Sequence, residues 1–186
     1  MFSKLIRADV ELRLVEERHA LEIYSVMDAH RKSLREWLPW VDDTTSVDGT
    51  REWIRGALEQ FANGQGFQAG IWFEDSFVGV CGFQPIHRAN RRGEIGYWLA
   101  PNAEGQGIMT AAVRALVDHA FLELGLNRVQ IQCGARNYKS QAIPQRLGFV
   151  EEGAMQQGEL LHGTYHDLIT FRMLRSEWAV RSTTAV

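Results

Sequence analysis

A helical period of apolar residues is the clearest pattern in the second half of the chain. Between residues 109 and 124 the apolar side chains recur at i, i+3, i+4 and i+7, which predicts an amphipathic helix that ends at Gly125. Similar patterns predict helices over residues 16–38, 50–61 and 138–147. The first of them stops before Pro39, because proline disfavours helical geometry in the residue before it. The apolar positions of the 109–124 helix are Met109, Ala112, Val113, Leu116, Val117, Ala120, Phe121 and Leu124.

Alternation of apolar and polar residues predicts strands elsewhere in the chain. The element order is then β α α β β β α β α β β, which indicates an α/β domain. Its first half is antiparallel, and a parallel pair lies around residues 94–134. The predicted strands cover residues 9–15, 66–73, 76–86, 94–99, 127–134, 149–160 and 164–174.

Chain length, net charge and the distribution of apolar residues limit the classes of function that this protein can have. A chain of 186 residues is long enough for one domain, so we expect residues 1–186 to form a single domain. The net charge of −3 gives no electrostatic case for direct nucleic-acid binding, since such domains are usually basic. We find no signal peptide and no run of 18 apolar residues, so we expect a cytoplasmic protein that does not enter a membrane.

Cysteine and histidine usage favours neither a disulfide nor a metal site. Cys81 and Cys133 lie in strand-like apolar surroundings without CxxC spacing, so we interpret them as buried thiols rather than a disulfide or a nucleophile. His162 and His166 have ligand-like spacing but flank a predicted turn, and we expect no metal there.

Two glycines precede the 109–124 helix, in the stretch NAEGQGIMTAAV. The first N–H groups of a helix lack partners and its dipole adds positive potential, so a strand, a Gly105-Gln106-Gly107 turn and a helix can form an anion site. The alternative is a tight turn without a ligand. The patterns GxxxxGK[ST] and GxGxxG are both absent, which excludes a P-loop and argues against a Rossmann site.

Longer stretches resemble a known family. EIGYWLAPNAEGQGIMTAAV and NRVQIQCGARNYKSQAIPQRLGFVEEG closely resemble the GNAT acyltransferases, and most of all their RimJ/RimL group, which acetylates protein N-termini, notably those of ribosomal proteins. RLVEERHA, LREWLPW and HDLITFRMLRSEW extend the resemblance over essentially the whole chain. It implies a GNAT fold with a mixed central β-sheet of about seven strands, about four flanking helices and splayed parallel fourth and fifth strands. It also implies acetyl-CoA as co-substrate, no metal, and a protein N-terminus, such as that of a ribosomal protein, as acceptor.

The family motif Gln/Arg-x-x-Gly-x-Gly/Ala, which holds the pyrophosphate of acetyl-CoA, is only partly present. Glu104 occupies its Gln/Arg place and Met109 its final place. We therefore expect Glu104 to point to solvent and main-chain N–H groups from Gln106 to Thr110 to hold the diphosphate. The resemblance places the thioester against Tyr97-Trp98-Leu99. It places the pantetheine arm in the gap between this strand and the strand over residues 129–134. The residues predicted to bind the coenzyme are Trp98, Leu99, Gly105, Gln106, Gly107, Ile108, Met109, Thr110, Asn137 and Lys139.

Two residues are predicted to serve the chemistry. The resemblance places Ser140 by the sulfur as a proton donor, although it could equally be a helix-cap hydroxyl. Glu94 begins the strand beside the expected thioester and is the predicted base, with an ion pair to Arg91 or Arg92 as the alternative. An α-amine with a pKa near 7.7–8 is already roughly 10–15% neutral at pH 7, so the lack of an obvious strong base favours such an acceptor over a lysine.

The acceptor is predicted to meet the segment LREWLPWVDD. Trp37 and Trp40 would form a wall, unless they belong to the core, and Asp42 would attract a positively charged amine. These features suit a peptide N-terminus, but also a polyamine or an aminoglycoside. A non-catalytic acyl-CoA-binding protein is a further alternative. The aromatic-rich surface and the meander of the three strands over residues 66–73, 76–86 and 94–99 predict a homo-oligomer.

Overall fold

Eight strands form one mixed sheet in the computed structural model, which describes residues 3–183, with side chains up to residue 179. Neighbouring strands follow the order β1-β2-β3-β4-β5-β6-β8-β7, and every pair is antiparallel except β5 and β6, which are parallel. The strands are β1 (Ser3–Arg7), β2 (Val10–Leu14), β3 (Gln68–Phe73), β4 (Ser76–Phe83), β5 (Arg92–Leu99), β6 (Arg128–Gly134), β7 (Val150–Leu161) and β8 (Thr164–Leu174).

Helices cover both faces of this sheet. The helices α1 and α3 pack on one face over a core that includes Trp72, Phe77 and Trp98. The helices α4, α5 and α6 pack on the other face, where Phe121 and Phe171 are fully buried. The helices are α1 (Ala20–Ala29), α2 (Arg31–Leu34), α3 (Val47–Ala62), α4 (Ile108–Leu122), α5 (Tyr138–Arg146) and α6 (Arg175–Thr183).

The parallel strands β5 and β6 separate soon after they meet. They pair only over Arg92–Glu94, opposite residues 128–130. From Ile95 onward β5 continues along β4, while β6 continues along β8 to Gly134. A gap therefore opens between the two strands on the side where α4 and α5 begin, as the family resemblance predicts.

The alternation along β5 decides which main-chain groups face this gap. The Gln84 N–H donates to the Glu94 carbonyl at 2.9 Å, and the Ala100 N–H donates to the Val78 carbonyl at 2.7 Å. Main-chain groups of Glu94, Gly96, Trp98 and Ala100 therefore face β4. Those of the alternate residues, Tyr97 and Leu99 among them, face the gap and have no strand opposite them.

The sheet and helix predictions need three corrections. A strand that sequence reasoning missed, β1, pairs with β2, so the sheet has eight strands rather than seven. The predicted helix over residues 16–38 is two helices, because His30 adopts a non-helical conformation with φ −113° and ψ 13°. A further helix, α6, follows β8 directly, and its Trp178 indole donates to Asp118 of α4 at 2.7 Å.

Within residues 3–183 the helices are too short or too polar to cross a membrane.

Candidate active site

A cavity of about 730 Å³ opens where β5 and β6 separate. A volume of this size is ordinary for a small-molecule site. Strands β5 and β6, the start of α5, helix α3 and the segment after α2 all contribute to its wall. Six of the residues predicted from sequence to serve the site line it: Trp37, Trp40, Glu94, Trp98, Asn137 and Ser140.

Ser140 sits in the first turn of α5, and the helix start fixes its main chain. Asn137 is the N-cap, and its side-chain oxygen accepts from the Ser140 N–H at 3.1 Å. Such caps satisfy one of the donors that a helix start leaves free. The coenzyme contact predicted for Asn137 can therefore use its amide nitrogen or the second lone pair of this oxygen.

The Ser140 hydroxyl lies in a small polar cluster with Tyr97 and Cys133. Its oxygen is 3.2 Å from the Cys133 sulfur and 3.2 Å from the Tyr97 hydroxyl, to which it donates. The Tyr97 hydroxyl donates in turn to the Ser140 carbonyl at 2.9 Å. The three residues come from α5, β5 and β6, so the cluster spans the gap between the two strands.

Burial keeps both cysteines in the thiol form. Cys81 and Cys133 are free and buried, as predicted. Burial raises the pKa of Cys81 to about 12, and burial also raises the pKa of Cys133 despite hydrogen bonds from Ser140 and Tyr97. A thiol nucleophile needs the opposite shift. Among the described residues no group of three or more potential ligands could hold a metal ion.

Two carboxylates line the cavity. Glu94, on β5, accepts from the Gln130 side-chain amide at 2.8 Å, rather than from Arg91 or Arg92 as in the alternative interpretation. Glu159, near the end of β7, lies opposite His166 of β8. Burial raises the pKa of Glu159 above its ordinary value, and the nearby His166 opposes this shift only in part. Sequence reasoning missed Glu159, because β7 is long, polar and mostly exposed.

Aromatic residues close one side of the cavity. The Trp37 ring covers the end of β6, where a Cβ on Gly134 would lie 3.2 Å from it. Trp40 is 39% exposed and its ring lies 6.3 Å from that of Trp98, so it is a wall residue rather than core.

The predicted role of Asp42 needs correction. Both of its oxygens accept from the Arg35 guanidinium, at 2.7 and 2.8 Å, and Asp42 is not among the residues that line the cavity. The hydrogen bonds from Arg35, assisted by its charge, lower the pKa of Asp42, so the carboxylate is ionised but already paired. It holds the segment after α2 in place and is poorly placed to attract an amine.

The glycine turn has the geometry of an anion site. Gly105 and Gly107 have φ of 78° and 73°, a left-handed conformation that favours glycine, and Gly107 is the N-cap of α4. The first intrahelical bond runs from the Ala111 N–H to the Gly107 carbonyl at 3.0 Å. The N–H groups of Ile108, Met109 and Thr110 precede it and are left for a ligand.

Side chains from two distant elements hold this turn. The Arg7 guanidinium of β1 donates to the Gln106 carbonyl at 2.7 Å and is itself paired with Asp9. Glu104 forms an ion pair with Lys139 of α5. Glu104 is solvent-exposed, as expected, and its charge is matched by the lysine.

The main-chain N–H groups of Trp98 and Leu99, both predicted to bind the coenzyme, point in opposite directions. The Leu99 N–H faces the gap, whereas the Trp98 N–H faces β4 and cannot reach a thioester in the gap. The Trp98 side chain is still part of the cavity wall, and its ring packs against Phe77 with centroids 5.8 Å apart.

Comparisons with known proteins agree with this geometry. Residues 9–150 match the family model described as an acetyltransferase (GNAT) domain. YdaF of Bacillus subtilis (strain 168), provisionally named a ribosomal N-acetyltransferase, is 37% identical over 179 residues, which cover 96% of this chain and 98% of YdaF. The ribosomal-protein-serine acetyltransferase of Escherichia coli (strain K12) is 32% identical, with 88% of this chain and 91% of that protein covered.

A solved structure extends the similarity to a coenzyme complex. The RimL ribosomal L7/L12 α-N-protein acetyltransferase, in complex with coenzyme A as a coenzyme A–cysteine disulfide, superposes with a TM-score of 0.91 at 29% identity. The match covers 95% of this chain and 99% of that one. The splayed strands and the glycine turn agree with the matched family model and relatives, and the chain belongs to the GNAT family of acetyltransferases.

Proposed function

We propose that this protein transfers the acetyl group of acetyl-CoA to the N-terminal α-amine of a protein, specifically a ribosomal protein. The observation that carries the proposal is the meeting of three groups in one cavity at the β5–β6 gap: the Ser140 hydroxyl, the carboxylates of Glu94 and Glu159, and an aromatic wall. The ribosomal-protein acetyltransferases among its relatives support the acceptor class.

The coenzyme is expected to enter the gap from the glycine turn. Its diphosphate binds the free N–H groups of residues 108–110, where the helix dipole also favours negative charge. Lys139 is 82% exposed on the side chain and paired with Glu104, so it can turn from that carboxylate to the phosphates. The Leu99 N–H, directed into the gap, polarises the thioester carbonyl.

Ser140 lies where the leaving sulfur is expected. Coenzyme A is a thiol with a pKa near 8.5, so its thiolate needs only a hydrogen bond or a weak acid to depart. The Ser140 hydroxyl can supply either. Because the pKa of Cys133 is raised, that thiol stays protonated, which supports direct attack of the amine over an acyl-cysteine intermediate.

The acceptor amine needs a group that takes a proton after it attacks. Glu94 is the base predicted from sequence, and Glu159 is the second carboxylate of the cavity. A raised pKa brings Glu159 closer to neutral pH, where a base works best, so Glu159 is the stronger candidate. Two carboxylates beside an aromatic wall also favour a cationic amine over a neutral acceptor.

Thiol release from acetyl-CoA tests the proposal. The purified protein is given N-terminal peptides of ribosomal proteins, the same peptides with blocked α-amines, spermidine and an aminoglycoside. Release with the free peptides and none with the blocked ones is the expected result. Release with the small amines alone would contradict the acceptor class, and binding of acetyl-CoA without release to any acceptor would contradict the enzymatic proposal.

A further inference from the structure

Pro144 interrupts the hydrogen bonding of α5 at a place that matters for Ser140. Proline has no main-chain N–H, so the carbonyl four residues before it receives no helical hydrogen bond. Pro144 lies inside α5, and the carbonyl it leaves free is that of Ser140. A main-chain acceptor at the wall of the cavity is thereby made available to another donor.

The donor that takes this place is the Tyr97 phenol. Its hydroxyl donates to the free Ser140 carbonyl at 2.9 Å, which fixes the direction of its only proton. The phenol oxygen then has its lone pairs left, and one of them accepts from the Ser140 hydroxyl at 3.2 Å. Tyr97 is thus bonded to both the main chain and the side chain of one serine.

These contacts hold the Ser140 oxygen in one position. Its N–H is held by Asn137, its carbonyl by Tyr97, and its hydroxyl oxygen lies 3.2 Å from both the Tyr97 oxygen and the Cys133 sulfur. The hydroxyl proton can still turn about the Cβ–Oγ bond toward a sulfur in the gap. A fixed oxygen with a movable proton is what a hydrogen-bond donor to a leaving thiolate requires.

We propose that Tyr97 is a positioning residue for Ser140, held by the carbonyl that Pro144 leaves free. The inference rests on the proposed role of Ser140 in acetyl transfer. Tyr97 acts through Ser140 and not on the substrate, so its loss lowers kcat while the binding of acetyl-CoA by the glycine turn persists. Pro144 acts one step further back, because it frees the carbonyl that orients the phenol.

Two single variants and their double variant test the inference by steady-state kinetics. Tyr97→Phe removes the hydroxyl and keeps the ring, and it should lower kcat about three- to tenfold, the range that the loss of one or two hydrogen bonds produces. The KM for acetyl-CoA should stay within about twofold. Pro144→Ala restores an N–H that competes for the Ser140 carbonyl, and it should lower kcat in the same direction. Because the two changes break one linkage, the double variant should be no slower than Tyr97→Phe.

Tyr138→Phe is the matched control, because Tyr138 lies on the same helix and is 74% exposed. It should leave kcat unchanged. Full additivity of Tyr97→Phe and Pro144→Ala, or an equal loss with Tyr138→Phe, would overturn the inference. An increase of the acetyl-CoA KM that accounts for the whole loss would also overturn it, because Tyr97 would then bind the coenzyme directly.

A crystal structure of Tyr97→Phe separates this inference from the proposed function. The Ser140 side chain should populate more than one rotamer in the variant, whatever its activity. A single, unchanged rotamer would overturn the positioning role. Full activity of Ser140→Ala would instead overturn the role of Ser140 in acetyl transfer, while the rotamer result would still decide whether Tyr97 positions that side chain.

Discussion

Surroundings shift the pKa values of the ionisable side chains in and beside the cavity. Burial raises the pKa of the Cys133 thiol, whereas hydrogen bonds from Arg35 lower the pKa of Asp42, which lies outside the cavity lining. Burial also raises the pKa of Glu159, and the nearby His166 partly offsets the shift. A raised pKa makes a glutamate a stronger base, which suits it to accept a proton from an attacking amine.

Replacement of Glu159 should therefore change the pH dependence of catalysis. The carboxylate must be ionised to accept a proton, and its pKa is raised, so kcat should fall as the pH drops through a value above the ordinary 4.5 of glutamate. Glu159→Gln should lower kcat by about 10²-fold or more and remove this acidic limb. The measurement is kcat against pH at saturating peptide and acetyl-CoA.

Folding gives an independent check on the same variant. A folded pKa above the unfolded one means that ionised Glu159 disfavours the folded state above both values, so the neutral glutamine should not lower the melting temperature at pH 7. Glu151→Gln, an exposed position on the same strand, is the control and should keep full activity. If Glu94→Gln lowers kcat while Glu159→Gln keeps full activity, Glu94 is the base and the assignment to Glu159 is wrong.

At the scale of elements, the glycine turn depends on contacts from outside its own loop. Its place between β5 and α4 follows from local sequence, but Arg7 of β1 binds the Gln106 carbonyl and Lys139 of α5 binds Glu104. The family motif has Gln or Arg where this chain has Glu104. Two cations, Arg7 of β1 and Lys139 of α5, therefore contact a turn that carries the acidic Glu104 at the Gln/Arg position of the motif.

Loss of Arg7 should weaken coenzyme binding selectively. Arg7→Ala releases the Gln106 carbonyl, so the turn holds its N–H groups less rigidly and the KM for acetyl-CoA should rise about three- to tenfold, with kcat nearly unchanged. Isothermal titration with coenzyme A should show the same weakening as a rise in the dissociation constant, without turnover. Arg13→Ala removes a comparable arginine of β2, paired with Glu11, and should leave binding unchanged. Equal effects of the two variants would assign Arg7 to general stability.

The β7–β8 hairpin and the segment after α2 are tied together beside the aromatic wall. The His162 ring, in the turn of the hairpin, bonds the Arg35 carbonyl through Nε2 at 2.7 Å, and its Nδ1 lies 3.5 Å from Asp42. This tie joins the hairpin that carries Glu159 to the segment that carries Trp37 and Trp40.

Loss of the His162 contacts should weaken binding of the acceptor peptide and not binding of acetyl-CoA. His162→Ala should raise the peptide KM about three- to tenfold and leave the acetyl-CoA KM unchanged, because His162 bonds the segment after α2, whereas the glycine turn is held by Arg7 and Lys139. His87→Ala, in the exposed loop between β4 and β5, is the control. A rise in the acetyl-CoA KM of His162→Ala would contradict a role confined to the acceptor side.

At the scale of the whole molecule, the sheet ends in an edge strand with exposed apolar residues. The strand β7 lies at one end of the strand order, and an unpaired edge of this kind readily associates with another chain. Four large apolar side chains on the hairpin are between 43% and 62% exposed: Val150, Met155, Leu160 and Tyr165. The homo-oligomer predicted from sequence can use this hairpin.

Light scattering after gel filtration tests that expectation. The protein should elute at a multiple of its 21.2 kDa mass, and Leu160→Glu should shift it to the monomer, because a charge cannot be buried unpaired in an apolar interface. Leu122→Glu is the control, since Leu122 is 76% exposed on α4, away from the hairpin. A wild-type monomer would contradict the prediction, and an oligomer that survives Leu160→Glu would place the interface elsewhere.

The sequence by itself determined the elements whose signals are local. Apolar periods of 3.6 and 2 predict α4, α5 and most strands, because each buries one continuous face. Asn137 and Ser140 were predicted in the right element, since the resemblance attaches them to a short contiguous motif. The glycine turn and Glu94 were placed from their positions beside a predicted helix and in a predicted strand. Strand β1 was missed because it is mostly exposed, and α6 because it continues directly from β8.

Only the tertiary structure decided the contacts that join distant parts of the chain. Nothing near Tyr97 in the sequence indicates that its phenol meets a carbonyl freed by Pro144, and nothing near Glu159 indicates that β7 brings it to the cavity. Asp42 illustrates the converse, because its partner Arg35 removes the role that its charge suggests. Periodicity records which face of an element is buried, but hydrogen bonds and charge depend on which elements the sheet order makes neighbours.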